Sequence, residues 1–167
     1  MKQIFVSYRR EDAADVTGRI NDRLRQYYGD ESIFTDVDSI PFGIDFRKHI
    51  DEEVSQCKIL LVVIGMNWQN IKSDKGQQRL DDPNDFVRLE IESALRRNIP
   101  VVPLLVQGAQ MPSEDGLPDS LHQLIFRNGT SVRPDPDFHK DMDRLITGLD
   151  WHLRSNEQEE NLQKINI

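Results

Sequence analysis

The sequence predicts an α/β fold. Its form is a flavodoxin-like three-layer sandwich: a five-stranded parallel sheet of order 2-1-3-4-5 with helices on both faces. Three observations predict it. Short apolar runs alternate with segments of helical period along the chain, in the order βαβαβαβαβα. Two of those runs, at Lys58–Ile64 and Val101–Val106, are almost uninterrupted, as strands covered on both faces require. The 167 residues suit one such domain, and 37% hydrophobic with 30% charged residues supplies both a core and a solvated surface.

Gln3–Tyr8 is the first expected strand. Ala13–Tyr28 follows as a helix, with Val16, Ile20 and Leu24 at four-residue spacing on one face. Gly29 ends it, because glycine tolerates the left-handed backbone that a helix C-terminus often needs. Ser32–Asp36 is a short second strand, and a turn-rich loop with Pro41 and Gly43 leads to a helix over Asp45–Gln56 carrying Phe46, Ile50 and Val54. The third strand is Lys58–Ile64. A long polar loop, Gly65–Asn84, precedes a helix over Asp85–Arg97, and Val101–Val106 is the fourth strand. A weaker fifth strand is expected near Thr130–Arg133 and a last helix over Asp137–Leu153. After Ser155 the chain turns polar (NEQEENLQK), so residues 1–154 read as the domain and 155–167 as a frayed tail or linker.

Composition excludes several classes. A formal net charge of −8 opposes broad nucleic-acid binding, which needs clustered cations against phosphates. No apolar run reaches the roughly 20 residues that span a bilayer, and no leader is expected before the first strand. One cysteine, Cys57, forms no internal disulfide, so a cytoplasmic setting is expected. The four scattered histidines lack metal-ligand spacing. No GxGxxG follows the first strand and no P-loop is present, which sets aside a dinucleotide-binding dehydrogenase. A phosphoacceptor receiver needs an aspartate at the end of the third strand, where Ile64, Gly65 and Met66 stand.

In a sheet of this order, ligands bind beyond the carboxyl ends of the strands, near the point where strand order reverses. Three segments should meet there. The loop after the first strand, Ser7-Tyr8-Arg9-Arg10-Glu11-Asp12, offers forked guanidinium donors for a pyrophosphate and an aromatic face; it also reads as a charged surface turn. The loop after the second strand, Asp36 to Gly43, sets Ile40 and Phe42 in a turn, where an apolar tip either meets a ligand or partner or folds back on the body. In the third segment, Asp82-Pro83 resembles an N-cap with proline at the first helical position. Val87, Ile91 and Leu95 should face the core, while Phe86, Glu90 and Ala94 form the adjacent row and Glu92 points outward. Glu90 thus sits at the edge of the buried stripe, a place for a perturbed, functional carboxylate; the alternative is an ion pair with Arg88 or a neighbouring surface arginine.

At these residues the chain resembles a known family. IFVSYRRED is similar to the first motif of TIR (Toll/interleukin-1 receptor) domains, FTDVDSIPFGIDF to their second strand and BB loop, and DFVRLEIESAL to the helix that carries the catalytic glutamate of NAD⁺-consuming members. The resemblance runs from Ile4 to about Leu153 and is strongest to bacterial members. It implies an NAD⁺ hydrolase or cyclase acting in bacterial signalling or antiphage defence, with Glu90 catalytic. Tyr8, Arg9, Arg10, Asp38, Phe42, Gly43, Trp68 and Phe86 are then expected around NAD⁺, which is the substrate; no cofactor or metal is implied. Enzymatic relatives often carry tryptophan where Phe86 stands, which implies a smaller stacking face and lower turnover. Trp68 either adds a stacking surface or packs. The resemblance also implies activation by homotypic TIR–TIR association, and it leaves room for a fused or separate sensor domain. Its non-catalytic alternative is an interaction module docking through the BB loop. A nucleoside deoxyribosyltransferase, which also breaks an N-glycosidic bond with a glutamate, is a more distant option.

Overall fold

The computed structural model describes residues 2–35 and 40–166. Its elements are β1 (Ile4–Ser7), α1 (Arg10–Tyr28), β2 (Ile33–Thr35), α2 (Phe46–Ser55), β3 (Ile59–Ile64), α3 (Phe86–Arg96), β4 (Val101–Val106), β5 (Thr130–Val132) and α4 (Phe138–Ile165). All strand pairs are parallel, and the order is β2-β1-β3-β4-β5. This is the expected flavodoxin-like sheet.

The central strand explains the layering. Side chains alternate across a pleated strand, so Ile59, Leu61 and Val63 of β3 enter one hydrophobic cluster and Leu60, Val62 and Ile64 enter the other. The first cluster includes Ile20 and Leu24 of α1 and Met142, Leu145 and Leu149 of α4. The second includes Ile50 and Val54 of α2 and Val87, Ile91 and Ala94 of α3. Helices α1 and α4 therefore cover one face of the sheet, and α2 and α3 cover the other. Every residue of β3 is buried, which is why its run shows no polar alternation.

Local chemistry sets the ends. Gly29 closes α1 with φ +93°, donating its N–H to the Arg25 carbonyl at 2.8 Å. At the carboxyl end of β3, Asp12 accepts from the Gly65 and Asn67 backbone N–H groups, both at 2.9 Å. A Cβ on Gly65 would collide with that carboxylate, so a larger residue would have to displace Asp12 from its two bonds to the β3 loop. Among the described residues, no helix is long and apolar enough to cross a membrane.

The structure departs from the sequence reading at three places. First, α1 begins at Arg10 rather than Ala13, with a non-helical Ala13 (φ −144°, ψ 28°) near its start. Second, the regular alternation implies a helix between β4 and β5, but this stretch holds only 3-10 turns, at Glu114–Gly116 and Asp119–Phe126. Pro112, Gly116 and Pro118 punctuate it too closely for an α-helix. Third, the chain does not fray after Ser155, because α4 stays helical to Ile165. Its Glu, Gln and Lys residues are polar but favour helix, as does Leu162, so polarity is a poor stop signal. Glu160 also reaches back to Lys58, at 3.5 Å.

Candidate active site

The loop after β1 and the start of α3 are joined by one buried ion pair. Arg9 donates twice to Asp85, Nη1 to Oδ1 at 2.6 Å and Nη2 to Oδ2 at 2.7 Å, and both side chains are more than nine-tenths buried. Asp85 is also the N-cap of α3, accepting from the Arg88 backbone N–H at 3.0 Å. One carboxylate thus ends the preceding loop, starts the helix and ties it to β1. The expected cap at Asp82 is corrected by this geometry. Asp82 instead accepts from the Asn84 N–H at 2.9 Å, closing the turn that delivers the chain to Asp85.

From that fixed start the helical period places the next groups. Phe86 is the first residue of α3; its ring lies 5.3 Å from that of Phe46 and remains 42% exposed. One turn on, Glu90 is only 4% exposed. The arginine nearest to it in sequence turns elsewhere: Arg88 Nε donates to Glu92 at 2.6 Å, and its Nη1 donates to the Leu80 and Asp81 carbonyls at 3.1 and 3.3 Å. Glu92 also accepts from the Ser120 hydroxyl at 2.6 Å. Arg88, one of the partners considered for Glu90, is therefore engaged by Glu92.

Glu90 lines a cleft of about 380 Å³ with Tyr8, Arg10, Asn84, Phe86 and Val87. The cleft lies at the carboxyl end of β1, where the topology rule places ligands. Arg79 pairs with Glu11 at 2.8 Å on its rim. The Glu11 carboxyl is held below the usual carboxylate range, first by a backbone N–H at the opening turn of α1 and further by Arg79. Arg10 is exposed and lines the cleft, and Arg9 is bound to Asp85. A 300–1,000 Å³ opening with aromatic walls and a few convergent polar groups is the usual form of a small-ligand site.

Of the residues expected around the substrate, the structure brings Tyr8, Arg9, Arg10, Phe86 and Glu90 to this cleft. Two others lie outside its lining. Phe42 is fully exposed, and Gly43 (φ +82°) sits at the third position of a turn closed by the Ile44 N–H to the Pro41 carbonyl at 3.3 Å. Asp38 lies outside the described residues. Trp68 is corrected: at 1% exposure it packs in the α2–α3 cluster with residues such as Leu117 and Leu121, so it offers no stacking face to the cleft. The bulk of an indole fills the space below the β3 loop, which a smaller side chain would leave void. Asp85 and Asn84 escaped the sequence reading. An Asn-Asp pair just before an apolar helical stripe was the signal for a cap, but nothing local pointed to Arg9. Among the described residues, no cluster of three or more His, Cys, Asp or Glu side chains is placed to hold a metal ion.

Comparison with known proteins gives the geometry a context. A family model described as "TIR domain" matches residues 4–146. The chain is similar to the NAD(+) hydrolase sarm1 of Drosophila melanogaster, with 25% identity over 166 residues. That alignment takes in 97% of this chain but only 11% of the fly protein. Among solved structures, the TIR domains of the activated Roq1 resistosome, which directly recognises the pathogen effector XopQ, superpose with a TM-score of 0.63 at 14% identity. They cover 89% of this chain and 99% of theirs. The TIR domain of the Toll-related receptor TRR-2 from Hydra magnipapillata superposes with a TM-score of 0.55 at 14% identity, covering 90% and 99%. At that identity these two likenesses speak to fold alone.

Proposed function

This chain belongs to the TIR domain family, and from that premise we propose that its cleft cleaves the bond between nicotinamide and ribose in NAD⁺. One observation carries the proposal: Glu90 is a buried carboxylate lining the cleft at the carboxyl end of β1, beside Tyr8 and Phe86. The partial likeness to an NAD(+) hydrolase supports the same reading.

The chemistry asks little of the protein. Nicotinamide is cationic in NAD⁺ and leaves neutral, taking the electron pair of the C1′–N bond. No acid is needed to protonate it, so one carboxylate serves where ordinary glycosidases use two. Glu90 hydrogen-bonds the ribose hydroxyls and stabilises the positive charge that develops on the ring, an effect strengthened where water is excluded. Phe86 provides a flat wall and Arg10 a cation for the pyrophosphate. Water then bonds to C1′, its proton passes to Glu90 and on to solvent, and the product is ADP-ribose. Attack by the adenine of the same molecule gives a cyclic product instead. NAD⁺ is consumed as substrate, without a cofactor. Loss of NAD⁺ or release of such a product suits a domain in bacterial signalling or antiphage defence.

The test is NAD⁺ loss by purified protein, followed by chromatography of products, beside Glu90→Gln at matched concentration and folding. Equal turnover in the two proteins removes Glu90 from the reaction.

The full exposure of Phe42 at a loop tip favours a second, compatible role, homotypic association through that loop. Activity then rises more than linearly with protein concentration. A protein that associates but never consumes NAD⁺ is the scaffold of the alternative reading.

A further inference from the structure

Beyond Leu153, the last buried residue, α4 continues through Arg154–Ile165, about 18 Å of helix with no side chain in the core. Isolated helices of this length are marginal in water. The exposed faces of this segment therefore bear on what keeps it helical.

Trp151, Leu162 and Ile165 are 67%, 60% and 77% exposed. Together with Ser155 and Gln158 they form one line, spaced four, three, four and three residues apart. That alternation is the seam of a two-stranded coiled coil, with Ser155 and Leu162 at a positions and Trp151, Gln158 and Ile165 at d positions. The seam is directed away from the body. At about 100° per residue it lies about 160° from Leu149 and Leu153, which face the sheet, and about 180° from Glu160, which pairs with Lys58. A second helix can dock there without displacing any contact of the domain.

Charge selects the orientation. In this register Arg154 is a g position and Glu159 an e position, five residues apart. That is the g-to-e′ relation that joins the strands of a parallel pair, and two-fold symmetry makes it twice. Neither residue forms an ion pair among the described residues. We infer that the C-terminal half of α4 pairs with the same segment of a second copy of this chain as a short parallel coiled coil. The seam spans about two heptads and carries polar Ser155 and Gln158 at its centre, so the dimer is weak, with Kd on the order of 10⁻⁴ M. The pairing does not depend on the NAD⁺ reading, since it uses none of the cleft residues.

Sedimentation of the full chain from about 10 μM to 1 mM tests the pairing. The expected result is a concentration-dependent dimer that Leu162→Glu removes; that position is exposed, so the monomer fold is untouched. Arg154→Glu and Glu159→Arg each weaken the dimer about tenfold, and the double variant restores it, because each substitution sets like charges together twice. Ser155→Cys adds a thiol at an a position, where the two copies meet in a parallel pair, and mild oxidation links them. Cys57 is buried and does not compete. A monomer throughout the range, a double variant no better than the singles, or a dimer in which Ser155→Cys fails to cross-link overturns the inference. The last of these outcomes would mean an antiparallel pair or another surface, such as the Phe42 loop.

Discussion

Two buried carboxylates, one on each face of the sheet, differ in whether an opening adjoins them. Asp141, on α4, is completely buried, and it is saturated. It accepts from the Arg133 backbone N–H, from Arg133 Nε and from Arg133 Nη2, each at 2.9 Å, and from Arg144 at 3.3 Å. These donors, the Arg133 side chain first, hold its carboxyl far below the usual range. Glu90 is buried to nearly the same degree, yet it lines a cleft and the nearby Arg88 is engaged by Glu92. Burial alone therefore does not mark a site. Asp141, closed in by guanidinium groups, fastens β5 to α4; Glu90 differs in lining a cleft, and the catalytic role proposed for it rests on that position.

Substitutions that leave shape intact should separate the two roles. The largest effect is expected at Glu90: Glu90→Gln lowers NAD⁺ turnover at least about 100-fold, with thermal stability close to that of the unchanged protein. A large loss of stability would instead place Glu90 with Asp141 as a structural group. Next, Asp141→Asn should cost about 2–3 kcal/mol of folding free energy, measured by urea unfolding, while activity per folded molecule is retained. Removing charge-assisted bonds sets that cost, and the half-exposed Arg133 limits it by turning to water.

A smaller effect is expected at the cleft wall. Phe86→Ala should lower kcat/KM about tenfold through loss of stacking area, and Phe86→Trp should raise it, read from initial rates of NAD⁺ loss. If both variants leave the rate unchanged, the ring does not touch substrate. The smallest effect concerns acid. Asp51, which joins α2 to α3 through Ser93, Arg96 and Arg97, has its pKa lowered to about 2, chiefly by the hydrogen bond from Arg97. A folded pKa below the unfolded one means that the stabilisation is present above about pH 4 and is lost as pH falls toward about 2. Because Asp51 is partly exposed, its share is below about 1 kcal/mol. Asp141 acts in the same direction, so unfolding midpoints followed from pH 5 to 2 should drop steadily, and Asp141→Asn should flatten that drop.

Much of this was legible in the order of residues. The run ILLVVI announced a strand covered on both faces, because nothing polar can be spared there. The four-residue recurrence of Val87 and Ile91 oriented α3 and put Glu90 at the edge of the buried stripe, where it is 4% exposed; Glu92, expected outside, is instead partly covered by Arg88 and Ser120. The roles of the two adjacent arginines were not legible. Arg9 and Arg10 look alike in the chain, and only folding brings Asp85, 76 residues away, against the first of them. Trp68 was open between stacking and packing, and its depth below the β3 loop resolves the choice. The 3-10 turns between β4 and β5 and the long reach of α4 escaped notice because the alternation of strands and helices was extended past the local proline and propensity signals.

By itself, then, the sequence determined the sheet, its order and the face of α3 that bears Glu90. The strands and the face follow from hydrophobic periodicity, which is a property of neighbours along the chain. The order follows from the alternation of strands and helices with the rules for parallel connections. Only the tertiary structure decided which arginine fastens α3, which glutamate takes Arg88 and which aromatic ring remains open to a ligand. Each of those is settled by groups that meet across the fold, where burial, distance and competing partners act together.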